Sequence, residues 1–145
     1  MAGQNSSPKV NLFEGFTGRL DVARALGSTD TAMYLYDVEP GDSFPYHYEY
    51  VDEWLLVVDG AVVVRIPEGD VVLERGDLVR FPPGPDGAHQ IMNRGDASAR
   101  LLLFSKAALP AVSVYPDTDA IGVWPDDETE FYFKRRTAVS RDDAL

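Results

Sequence analysis

Turn-forming residues interrupt this chain so often between residues 31 and 105 that no long helix fits there. Pro40-Gly41, Asp59-Gly60, Pro67-Glu68-Gly69-Asp70, Arg75-Gly76-Asp77 and Asn93-Arg94-Gly95-Asp96 each favour a reversal of direction. Between them lie short apolar or aromatic runs at 31–39, 54–59, 61–66, 71–74, 78–81, 90–92 and 99–105. Short runs at this spacing predict an all-β barrel or sandwich. Asp59-Gly60 is expected to close a type I′ hairpin, because glycine accepts positive φ. There is no internal repeat, so one domain is expected. Its core spans residues 31–106, with an N-terminal extension at 1–30 and a C-terminal extension at 107–145 packed on the barrel.

The stretch from Gly41 to Gly60 carries the candidate chemistry. Side chains two apart on a strand share a face, so His47 and Glu49 point the same way. Glu53 follows a short polar break, and a tight connection there returns it beside the first two. His89, the second of the chain's two histidines, is the fourth donor. An imidazole and two carboxylates, joined by a second imidazole, form a donor set for a divalent transition metal.

Two segments resemble the paired motifs of the cupin family. Gly41, His47, Glu53 and Gly60 fall on the first motif, with Glu49 where the family carries a second histidine. Gly76, Pro82, Gly84, His89 and Asn93 follow the second, with a longer gap between Gly84 and His89. The resemblance implies a double-stranded β-helix, the jelly-roll barrel. It also implies a metal bound by His47, Glu53, His89 and Glu49, with Mn, Fe(II), Zn and Ni as candidates.

Glu49 has two readings. As a ligand it makes a set of two imidazoles and two carboxylates, which shifts preference toward Mn or Fe(II). Standing off the metal, it leaves a two-His-one-carboxylate triad with open positions and is free to act as a general base.

Two function classes follow. One is a metal-dependent enzyme of oxygenase or isomerase type acting on a small oxygenated metabolite. The other is a non-catalytic small-molecule-binding barrel, and the replaced second histidine is its motivation. The formal net charge of −11 argues against nucleic acid and anionic membrane surfaces as partners. The absence of cysteine excludes disulfides and thiolate ligands. No apolar run is long enough to span a membrane. The start of the chain lacks a signal-peptide pattern, and a cytoplasmic location is expected.

If His47 and Glu49 face inward, parity turns Tyr46, Tyr48 and Phe44 outward as an aromatic ridge. A homodimer is expected to cover that ridge. The competing expectation is that residues 112–133 fold back over it within one chain. Arg80 is expected to point to solvent, with a substrate carboxylate as its alternative partner.

Overall fold

The computed structural model describes residues 8–145. Most of the polar lead at residues 1–9, expected to be loose, lies outside that range. The strands run in the order β1 (Arg19–Asp21), β2 (Thr31–Val38), β3 (Tyr48–Glu49), β4 (Glu53–Asp59), β5 (Ala61–Ile66), β6 (Gly69–Glu74), β7 (Leu78–Phe81), β8 (Gln90–Met92), β9 (Ala99–Lys106), β10 (Ala111–Tyr115), β11 (Ala120–Trp124) and β12 (Phe131–Lys134). They form a five-stranded sheet β1-β2-β9-β4-β7, a three-stranded sheet β6-β5-β8 and a four-stranded sheet β12-β11-β10-β3. This is a jelly-roll arrangement, but its ladders do not close into one continuous hydrogen-bonded barrel. No helix among the described residues is long and apolar enough to cross a membrane.

The main core lies between the five- and three-stranded sheets. Leu55, Val57 and Leu101 meet Val62, Val64 and Ile91 there. The other face of the five-stranded sheet is covered as well. Leu35, Val58 and Leu102 pack under Val22 of a short helix (Val22–Ala25) and under Val10, Leu12 and Phe16. A strand buried on both faces reads as a continuous apolar run. That explains why residues 54–58 show no alternation.

The Asp59-Gly60 junction is not a hairpin. β4 pairs with β7 and β9, whereas β5 pairs with β6 and β8. The chain therefore turns a corner from one sheet into the other, next to a register shift between Val57 and Asp59. Gly60 sits at that corner with φ +78°, and a Cβ there would come within 2.9 Å of the Ala99 Cα and the Ser98 carbonyl oxygen. The glycine signals a close backbone crossing as much as a turn.

The outward aromatic ridge is also corrected. Ser43 pairs with Met92 and His47 with His89, so four steps on one strand answer three on the other. That extra residue breaks the parity, as a bulge does. Phe44 packs edge-on against Tyr36 beside the main core. Tyr46 lies under the Arg65 guanidinium, 3.9 Å from its carbon. Tyr48 is 5% exposed, because β10 pairs with β3 and brings Val114 beside it. Of the four aromatics in this stretch only Tyr50 is largely exposed. The C-terminal strands do the covering, within one chain. Arg80 is exposed and donates to Asp52 at 2.8 Å, so it faces solvent as expected.

Candidate metal centre

His47 and His89 face each other across an isolated antiparallel bridge that joins the ends of two sheets. Their ring centroids are 4.7 Å apart. Glu53 opens β4 on the inward face of the five-stranded sheet, between Ser105 and Phe81 in register. The ligand atoms of His47, Glu53 and His89 all lie within 4.8 Å of one another. The sequence assigned these three residues to one cluster, and the fold brings them together.

Each imidazole is oriented the same way. His47 Nδ1 donates to the Pro45 carbonyl at 3.0 Å, and His89 Nδ1 donates to the Gly87 carbonyl at 2.8 Å. A carbonyl only accepts, so both Nδ1 atoms carry the proton and both Nε2 lone pairs are free in the neutral rings. Such a backbone partner is how metal-binding histidines are commonly held. Phe81 stacks on His89 at 3.7 Å between centroids, with the rings 7° from parallel. That contact fixes the second ring from behind.

The donor chemistry fits a cation. Glu53 Oε1 lies 3.0 Å from His89 Nε2. With Nδ1 already protonated, these are two acceptors in contact, and a proton or a metal ion must reconcile them. Donors bound to one ion at about 2.1 Å stand about 3 Å apart when they meet it at a right angle. Burial lowers the His47 pKa, and His89 lowers it further, which keeps the ring neutral and able to ligate. Burial pushes Glu53 upward, but the His89 hydrogen bond and the two imidazoles outweigh it and hold the carboxyl below its ordinary value.

Glu49 stands beside this cluster. Its Oε1 is 3.7 Å from His47 Nε2 and accepts from Ser113 Oγ at 3.3 Å. Burial, then the charge of Glu53, raises its pKa to about 7 against the Ser113 hydrogen bond. Ser113 and Tyr115, whose ring stacks on His47 at 5.8 Å, come from β10. Neither was singled out in the sequence. They lie outside both motifs, and no local pattern marks a strand that pairs with β3 from so far along the chain.

Asn93 of the second motif is structural. It is buried, donates to the Val38 and Ala97 carbonyls and accepts from the Gly95 N–H. Surface depressions of about 410 and 350 Å³ lie on either side of Asp42 and Ser43. Neither includes His47, Glu53 or His89, so they do not mark this centre.

A jelly roll with a His/Glu/His cluster at one end of its sheets defines a cupin, and this chain belongs to the cupin superfamily. The cupin domain family model matches residues 34–105. The tetracenomycin polyketide synthase protein TcmJ of Streptomyces glaucescens is 32% identical over 89 residues. That match covers 61% of this chain and spans only 58% of the relative's length. A cupin-superfamily sugar phosphate isomerase from Silicibacter pomeroyi superposes with a TM-score of 0.77 at 28% identity, covering 86% of this chain and 82% of the other. A protein from Acidithiobacillus ferrooxidans described as a putative sugar phosphate isomerase gives a TM-score of 0.76 at 20% identity, over 84% and 78% of the two chains, and supports the fold alone.

Proposed function

We propose that this cupin is a metal-dependent enzyme that removes a proton beside the carbonyl of a small oxygenated metabolite, isomerising or cyclising it. The position of Glu49 carries this reading. Its carboxylate is oriented by Ser113 and lies beside the His47–Glu53–His89 cluster, 3.7 Å from His47 Nε2. A divalent cation held by those three residues would supply Lewis acidity toward the substrate carbonyl. Glu49 receives the proton as general base. His47 and His89 keep their Nδ1 protons on backbone carbonyls and take no part in the transfer. Phe81, packed flat on His89, closes the inner side of the site to water.

Two relatives support the reaction type through the compounds with which they are associated. One is a sugar phosphate isomerase and the other a polyketide synthase protein, and sugar phosphates and polyketides both offer a C–H acidified by a neighbouring carbonyl.

The test uses protein loaded in turn with Mn, Fe(II), Zn or Ni and α-hydroxyacetophenone in deuterated water. Proton NMR should show exchange at the carbon beside the carbonyl. Glu49→Gln should retain the metal and slow exchange by about a hundredfold or more. Loss of metal in Glu49→Gln makes Glu49 a ligand and overturns its role as base. Binding of α-hydroxyketones without exchange identifies a non-catalytic binding cupin.

A homodimer is proposed on the sheet face that carries Phe131 and Phe133, both about half exposed on the edge strand β12. Unpaired edges favour strand addition. Sedimentation at micromolar concentration checks it, and a clean monomer there removes the proposal.

A further inference from the structure

The four-stranded sheet turns one register row toward the metal centre. Glu49 of β3 pairs with Ser113, Ser113 with Gly122, and Gly122 with Tyr132. Directly paired residues share a face. Tyr132 therefore lies on the same face as Glu49, at the far edge of the sheet. Trp124 lies on it too, two residues along β11 from Gly122.

An unbroken line of rings follows this face. Tyr115 stacks on His47 at 5.8 Å, Tyr132 is 6.4 Å from Tyr115, and Trp124 meets Tyr132 edge-on at 5.7 Å. Two features set the outer pair in place. Gly122 has no side chain, and a Cβ there would stand 2.7 Å from Trp124 Cη2 and 2.8 Å from Tyr132 Cε1. The two rings occupy the space that a side chain would fill and lie against the backbone. Glu130 Oε2 accepts from both Trp124 Nε1 at 2.9 Å and the Tyr132 hydroxyl at 3.3 Å. Tyr132 is nevertheless 54% exposed, so this ordered aromatic surface is open to a ligand.

Most of the charges along this path are carboxylates. Glu49 and Glu53 flank its inner end and Glu130 its outer end. Lys134, on the same face of β12, donates its ammonium to the Thr118 carbonyl at 2.7 Å. A phosphorylated ligand meets Glu49, Glu53 and Glu130 against the single ammonium of Lys134 along this route, whereas a neutral ring meets faces to stack on.

We propose that Tyr115, Tyr132 and Trp124 form a stacking platform for the ring system of a neutral, planar aromatic hydroxyketone, whose oxygenated end reaches the metal centre. This deepens the reading of the site as a carbonyl-directed centre and rests on it.

Isothermal titration of the metal-loaded protein tests it with three probes: α-hydroxyacetophenone, its naphthyl analogue and dihydroxyacetone phosphate. The naphthyl ketone should bind most tightly and the phosphate most weakly. Tyr132→Ala should weaken the naphthyl ketone about tenfold, a ring's worth of stacking and contact area. Tyr132→Phe, which keeps the ring, should restore nearly all of that affinity. Tighter binding of dihydroxyacetone phosphate, unchanged naphthyl affinity in Tyr132→Ala, or failure of both aromatic ketones to bind would each overturn the platform. Glu49→Gln separates this proposal from the reaction. It should lose exchange and keep naphthyl affinity, whereas exchange that survives in it removes the base assignment and leaves the platform standing.

Discussion

His47 and His89 are bonded to each other through their backbones in both directions. The His47 N–H donates to the His89 carbonyl at 3.1 Å, and the His89 N–H donates back at 2.9 Å. This reciprocal pair sets two imidazoles side by side at the point where two sheets meet. The candidate metal centre is therefore built on backbone pairing and not on a flexible loop.

His47→Ala removes one donor from that pair while leaving the pairing itself intact. We expect its affinity for a divalent metal to fall at least about a hundredfold, since even losing an outer partner of a ligand costs ten- to a hundredfold. Metal analysis after dialysis reads the effect. His89→Ala should lose metal as well and, because His89 is 2% exposed and stacked on Phe81, should also lose on the order of 2 kcal/mol of stability.

Gly60→Ala should destabilise the fold by on the order of 2 kcal/mol, from the left-handed backbone and the contact with Ala99 together. Urea unfolding measures it. An unchanged midpoint would mean that the corner between β4 and β5 has room to relax.

Tyr48→Asp places a charge in a cluster with Ala88 and Val114. The expected outcome is a loss of about 3 kcal/mol or more and weakened metal binding, because His47 directly precedes it in the chain. Thermal unfolding reads the first effect. If stability held and only a dimer dissociated, Tyr48 would be an interface residue after all.

Asp37 gives a pH signature. Arg100 donates to its two carboxylate oxygens at 2.7 and 3.0 Å, and the Gly18 N–H donates at 2.9 Å. The Arg100 hydrogen bonds lower its pKa below 3.8, more than burial raises it. A depressed carboxyl adds stability above its unfolded pKa and loses it as pH falls through the folded one. Asp37→Asn should therefore be less stable than the parent at neutral pH. The gap should close progressively below about pH 4 in urea titrations. A gap that stays constant down to pH 2 would show that the loss is not electrostatic.

The sequence by itself determined the all-β class, because closely spaced turn residues leave no room for helices in its middle. It also named His47 and Glu53, which follow motif spacing, and His89, the chain's second histidine, which follows the motif after a longer gap, and it placed most strands within a residue or two. Local signals were enough for those features. The tertiary structure decided what depends on pairing between distant segments. Asp59-Gly60 reads locally as a hairpin, yet β4 and β5 find their partners in different sheets. Tyr48 reads as an exposed ring by parity, yet β10 pairs with β3 and Val114 and Ala88 cover the face on which it lies. Ser113 and Tyr115 reach Glu49, and Tyr132 shares their face, only because β10, β11 and β12 continue the sheet from β3. Strand pairing at such range leaves no periodic mark in the chain, because the hydrogen bonds that carry it come from the backbone, which every sequence shares.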